Sequence, residues 1–208
     1  MHLFSQSSKY VFAILAVTVF LPFGGIANAQ EREQFNQKPI EKGRTELGLL
    51  IGVGHAMDIW GGLPDNGFLT LGLDIGYVAT HPIFGGPCRG NLVLGAELYP
   101  AIFFREPQRT TYGASAATIV RYYFAPDSRV RPFISAGGGV VVSANPIPHD
   151  ISRVNFTPQG GGGVSVALAS GARFSVEYRI HHMSDGVLTD YNPGANSSEV
   201  QVGISWIR

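Results

Sequence analysis

The chain has 208 residues, a formal net charge of zero, and 14% charged residues against 45% hydrophobic ones. The balanced charge argues against a nucleic-acid partner, because binding to phosphates requires an excess of Lys and Arg on one surface. The charged fraction is well below the ~25% of an average soluble domain, so the composition disfavours an ordinary soluble protein.

The N-terminus has the pattern of a secretory signal peptide. Lys9 precedes an apolar run over residues 11–23, and the small residues Ala27-Asn28-Ala29 follow. A short apolar run that ends in such residues is typical of a cleaved signal, so we predict cleavage after Ala29. Export then excludes a cytosolic role. Residues 30–44 are polar and charged, and we predict that they form a short periplasmic leader.

The rest of the chain is apolar but does not favour helices. After the signal, no hydrophobic run is long enough for a membrane helix, and 27 glycines and 13 prolines are scattered through the sequence. A closed β-barrel is the other structure that satisfies its backbone hydrogen bonds inside lipid. The composition therefore predicts an all-β membrane protein.

Segments in which apolar residues alternate with glycine or polar residues follow one another along the chain. This period of two is typical of barrel strands, whose outer face meets lipid. The predicted strands are, approximately, Thr45–Met57, Phe68–Val78, Asn91–Tyr99, Thr110–Phe124, Arg131–Ser143, Asn155–Leu168, Arg173–Ser184 and Asn196–Ile207. They predict an eight-stranded antiparallel transmembrane β-barrel over residues 45–208, in the outer membrane of a Gram-negative bacterium.

The inward positions of these strands include five charged residues. Side chains just fill the interior of an eight-stranded barrel, so we expect the five to pair with one another rather than line a pore: Asp74, Glu97, Arg121, Glu177 and Arg179. Short turns after the fourth and sixth strands, and longer loops after the first, fifth and seventh, indicate which end faces the periplasm. The connection over residues 81–90 is long for a periplasmic turn.

The seventh strand carries the polar pattern that points to chemistry. Its outward parity passes through Ile180 and then reaches His182 and Ser184. The outward parity of the eighth strand, followed back from Val200, reaches Asn196 beside His182. Polar groups that face lipid are costly away from the interface. The three residues could form a nucleophile, a base and an orienting group, although an interfacial His and Ser that meet only water and headgroups also fit the pattern.

This segment resembles the lipid A 3-O-deacylase (PagL-like) family, most strongly over roughly residues 174–202. The residues that carry the resemblance are Arg179-Ile180-His181-His182-Met183-Ser184, followed by Gly186, Leu188, Asn192, Pro193 and Gly194. The resemblance implies an eight-stranded outer-membrane barrel that hydrolyses the ester at position 3 of lipid A. It implies a Ser–His–Glu site on the outer wall, lipid A or lipopolysaccharide as the partner, and no cofactor.

The resemblance also assigns roles within the motif. Ser184 matches the nucleophile and His182 the base, whereas His181 has inward parity and is not the match. Asn192 matches the family's oxyanion-hole asparagine, and we expect backbone N–H groups at Asp185 or Gly186 to assist it.

One position departs from the family pattern. Where the family has glutamate, twelve residues after the serine, this chain has Asn196. Glu199 lies nearby but has inward parity. A slow enzyme, an enzyme that uses Asp185 or Asp190 instead, and a non-catalytic barrel with a structural or adhesive role all remain open. An esterase for other lipids is a further alternative.

Other sequence features receive structural interpretations. The lone Cys88 cannot form an internal disulfide. His55, His81 and His149 are scattered without metal-ligand spacing, so no metal site is predicted. The glycine runs at residues 137–139 and 160–163 are not phosphate loops, and we expect close strand packing or barrel bends there.

Overall fold

A computed structural model describes residues 40–57, 66–147, 152–186, 188 and 194–208. They form a closed antiparallel barrel in which each strand pairs with the next and the last pairs with the first. The strands are β1 (Thr45–Ala56), β2 (Gly67–Val78), β3 (Gly90–Arg105), β4 (Thr110–Phe124), β5 (Val130–Ser143), β6 (Val154–Ala167), β7 (Ala172–Met183) and β8 (Ala195–Ile207). The predicted fold class is confirmed. No helix among the described residues is long and apolar enough to span a membrane.

The predicted end of the third strand at Tyr99 is wrong. Strand β3 continues to Arg105, and its pairing with β4 shifts between Tyr99 and Ile102. Pro100 lies within this irregularity, where its missing N–H does not interrupt a regular ladder. Pairing resumes at Ile102 opposite Gly113. The other predicted strand ends agree with the structure to within one residue. The predicted signal peptide lies outside the described residues.

Side chains alternate between the two faces as the period of two predicts. Along β1, Leu49, Ile51 and Val53 are exposed on the outer face. The inward glycines of β6 allow close contact with β7, because a Cβ at Gly161 would lie 2.3 Å from the Tyr178 carbonyl oxygen. This contact supports the packing interpretation of the glycine run in β6.

The middle of the barrel is filled by a buried network of ion pairs. Arg121 Nη1 lies 2.9 Å from Asp74 Oδ1, and Arg121 also pairs with Glu97. Arg179 Nη1 lies 2.6 Å from Glu97 Oε2, while its Nη2 lies 2.8 Å from Glu177 Oε2. The five charged side chains therefore pair with one another, as predicted. Removal of one partner from such a network would leave an uncompensated buried charge.

The two ends of the barrel differ. At one end, called here the turn end, the Thr45 amide donates to the Arg208 carbonyl across 3.0 Å, and the β4–β5 and β6–β7 connections are short. At the opposite loop end, the β1–β2, β5–β6 and β7–β8 connections are longer, while the bulged extension of β3 leaves only residues 106–109 before β4. The β2–β3 connection at the turn end is an exception, because it spans residues 79–89. Short turns are typical of the periplasmic side of such barrels, so the predicted orientation has the loop end outside.

Candidate active site

The register between β7 and β8 brings His182 and Asn196 together. The two residues are directly opposite each other in the antiparallel ladder, where paired side chains share a face. The Nδ1 atom of His182 lies 2.8 Å from the amide oxygen Oδ1 of Asn196. An amide oxygen only accepts hydrogen bonds, so this contact assigns the proton to Nδ1 and leaves the Nε2 lone pair unprotonated in the neutral ring.

This pair lies on the outer wall at the loop end of the barrel. Outward residues of β7 below it, Tyr178 and Ile180, are exposed, and His182 continues the same face. Asn196 is only 8% exposed despite its outward parity. The imidazole is therefore accessible from the lipid side, while the amide that binds it is covered.

Ser184 continues this outer face just beyond the end of β7. It forms an isolated bridge with Phe156 of β6. The Phe156 amide donates to the Ser184 carbonyl over 2.7 Å, and the Ser184 amide donates to the Phe156 carbonyl over 3.0 Å. Because Phe156 is exposed on the outer wall and paired residues share a face, Ser184 has outward parity. The candidate residues are thus positioned on the outer wall by β6, β7 and β8.

Gly194 packs against the ring of His182. Its φ of +65° lies in the left-handed region that favours glycine. A Cβ at this position would lie 2.7 Å from Cε1 and 3.2 Å from Nε2 of His182. The glycine therefore lies close to the ring edge that carries Nε2. The sequence motif included Gly194 without a role, although the preceding proline is a turn signal that indicates a special backbone conformation.

The residues predicted to bind the oxyanion are only partly described. Asp185 is fully buried, which does not favour it as a substitute acid on the outer wall. Gly186 has a φ of +68° and is exposed beside Phe156. Asn192 and Asp190 lie outside the described residues.

The nearby carboxylate of Glu199 serves the other histidine. Glu199 is 1% exposed and faces the barrel interior. Its Oε2 lies 2.9 Å from His181 Nε2, and its Oε1 accepts a 2.7 Å hydrogen bond from the Thr70 hydroxyl. Glu199 therefore has the inward parity predicted for it and contacts His181. Among the described residues, no group of three or more His, Cys, Asp or Glu could hold a metal ion.

Comparison with known proteins places the site in a family context. The family model described as lipid A 3-O-deacylase (PagL) matches residues 70–205, which include all three candidate catalytic residues. The crystal structure of the outer membrane enzyme PagL has a TM-score of 0.56 and 21% identity, and the match covers 75% of this chain and 97% of that chain. The crystal structure of Neisserial surface protein A has a TM-score of 0.51 and 13% identity, with 78% and 95% covered. At these identities the two structures show similarity of fold alone. Among curated proteins, none matches this chain.

Proposed function

Because this chain belongs to the lipid A 3-O-deacylase (PagL) family of outer-membrane proteins, we propose that it is an esterase that removes the 3-O-linked hydroxyacyl chain of lipid A. The observation that carries the proposal is the 2.8 Å contact between His182 Nδ1 and Asn196 Oδ1. It orients an exposed imidazole on the same outer face as Ser184.

The proposed reaction is nucleophilic catalysis through an acyl-enzyme. His182 Nε2 takes the hydroxyl proton of Ser184 as the serine oxygen attacks the ester carbonyl. Collapse of the tetrahedral intermediate breaks the bond to the sugar oxygen, which receives the proton from His182. Water then attacks the acyl-serine with His182 again as base, and this step releases the hydroxy fatty acid and restores Ser184.

The negative oxygen of the intermediate needs hydrogen-bond donors. In the proposal, the side chain of Asn192 donates to it, together with backbone N–H groups at Asp185 or Gly186. One donor of this kind contributes about 10²–10³-fold to kcat in other acyl-transfer enzymes. The roles of these three residues rest on the sequence motif.

A site on the outer wall suits a lipid substrate. The acyl chains of lipid A lie in the outer leaflet, alongside the apolar face formed by residues such as Tyr178 and Ile180. The candidate site lies at the loop end of this face, and the turn asymmetry supports an outward orientation of that end. The ester can therefore reach Ser184 and His182 without the lipid entering the barrel.

Asn196 sets the expected rate. Its amide oxygen can hold the imidazole in the required tautomer, as the asparagine of Cys-His-Asn enzymes does, but it carries no charge to stabilise the imidazolium. We therefore propose a slow enzyme. The same substitution favours the second candidate function, a non-catalytic outer-membrane barrel with a structural or adhesive role.

The first experiment is mass spectrometry of lipid A from cells that express the wild-type chain or the Ser184→Ala variant. We expect the wild type, and not the variant, to yield lipid A that lacks one hydroxyacyl chain. Insertion of both proteins is checked by the shift in gel mobility on heating that folded barrels show. If both are inserted and neither alters lipid A, the deacylase proposal fails. Assays of the purified protein with phospholipids then separate a different esterase from a non-catalytic barrel.

A further inference from the structure

The β2–β3 connection at the turn end folds back onto the outer wall of the barrel. Ile83 and Gly90 form an antiparallel bridge with hydrogen bonds of 2.8 and 3.0 Å. The hydroxyl of Tyr122 in β4 donates to the Cys88 carbonyl across 2.6 Å, and Arg89 forms an ion pair with Asp127. These contacts hold the long connection in one conformation against the barrel.

Phe84 follows Ile83 in the β2–β3 connection and has an unfavourable backbone conformation. Its φ is +60°, which lies in the left-handed region that bulky residues rarely adopt. Its side chain is 74% exposed. Because most of the ring remains exposed, its burial within the fold contributes little to stability.

The surroundings of Phe84 indicate what it contacts. Its ring centroid lies 6.1 Å from that of Tyr122, which in turn lies 4.9 Å from that of Phe124. Tyr122 and Phe124 have the same outward parity as Val120, which is exposed on the lipid-facing wall. Phe84 is therefore outside the barrel and continuous with its lipid-facing surface.

The turn end also carries other outward aromatic residues. Tyr77 of β2 and Trp206 of β8 are exposed on the outer wall near the strand ends. Aromatic rings at this level are typical of a membrane interface. Phe84 differs because a connection, rather than a strand, supplies it to the same surface.

We propose that the β2–β3 connection inserts Phe84 into the phospholipid interface of the inner leaflet, where it fixes the depth of the barrel on the periplasmic side. The connection is long because it must leave the barrel end and return along the outer wall. Contacts with Tyr122 and Asp127 keep the ring at a fixed height. The proposal does not depend on the catalytic activity of the chain.

The test is fluorescence quenching of the full chain in phosphatidylcholine vesicles. The two native tryptophans are replaced in Trp60→Phe and Trp206→Phe, and Phe84→Trp supplies the only reporter. A matched control places the reporter in the exposed β6–β7 turn of the same end, with Ala169→Trp. We expect lipids brominated near the headgroup to remove most of the F84W emission, and aqueous acrylamide to quench A169W instead. An F84W signal that responds like A169W would overturn the proposal.

A second variant tests the proposal if the tryptophan impairs folding. Phe84→Gly relieves the backbone strain but also removes the ring contact with Tyr122, so in the absence of lipid contact the stability of the barrel should stay close to that of the wild type. We expect a loss of stability in vesicles, with half-unfolding at a lower urea concentration than for the wild type. An unchanged or higher urea concentration would refute an interfacial role for Phe84.

Discussion

His181 and His182 are neighbours in the chain, yet they lie on opposite sides of the barrel wall. His181 faces the interior and contacts the carboxylate of Glu199 across 2.9 Å. His182 faces outward and contacts the amide of Asn196 across 2.8 Å. The inner pair has the more familiar catalytic partner, but only the outer pair lies on the surface that lipids can reach.

We infer from this contrast that side-chain parity, rather than partner type, decides which histidine is the candidate base for a lipid ester. A His–Glu pair is the stronger catalytic signal on residue type, because a carboxylate stabilises the imidazolium. Inside the barrel, however, Glu199 also accepts a hydrogen bond from Thr70 and is almost completely buried. The inner pair is therefore part of the packed interior. His182 of the outer pair remains the candidate base.

The largest effect is expected from alanine substitution of the two histidines, which should change kcat very differently. His182→Ala removes the proposed base and should lower kcat on purified lipid A by about 10³-fold or more. His181→Ala should leave kcat within about tenfold of wild type, but leaves Glu199 short of a buried partner at a cost of about 1–3 kcal/mol in the free energy of unfolding. Deacylation kinetics and urea unfolding of both variants measure the two effects. The opposite result, a folded His181→Ala enzyme without activity, would reverse the assignment.

The next largest effect is expected when the neutral partner of His182 is replaced by a charged glutamate. Asn196→Glu restores the family's acid on the outer face and should raise kcat by between about tenfold and 10⁴-fold, because a negative charge then stabilises the imidazolium. Asn196→Gln is the matched control, since it lengthens the side chain equally without a charge. We expect the glutamine variant to show no gain in lipid A deacylation. Equal activities of the two variants would show that a negative charge at position 196 does not stabilise the imidazolium.

The contrast between the histidines was predictable because a period of two fixes the face of every residue once one is known. The alternating apolar residues of β7, which end at Ile180, indicated which face of the barrel wall His181 and His182 each occupy. The same rule placed Asn196 opposite His182. The prediction failed after Tyr99, where the third strand was expected to end but the structure contains an irregularity followed by renewed pairing. The alternation within one strand carries no information about the neighbouring strand, whose pairing makes such an extension favourable.

The contact between Gly194 and His182 could not be predicted for a related reason. It depends on how the chain enters β8, and the register of the β7–β8 ladder alone does not fix the distance from a backbone to a ring. The low exposure of Asn196 was also not indicated by its outward parity. Both features depend on packing beyond the period of two.

The smallest effect is expected at Gly194, whose substitution tests whether kcat depends on the packing around His182 as well as on Asn196. A Cβ in Gly194→Ala would lie 2.7 Å from His182 Cε1, so the ring must move away from its present position. Gly171→Ala is the matched control, because Gly171 has a φ of +80° but no atom within 4 Å of a new Cβ. Both variants should lose stability of about 1 kcal/mol from backbone strain, but only Gly194→Ala should lower kcat, by about tenfold to 10²-fold, with KM unchanged. Equal kcat values for the two variants would indicate that the ring tolerates displacement, and that Gly194 serves only its own backbone conformation before β8.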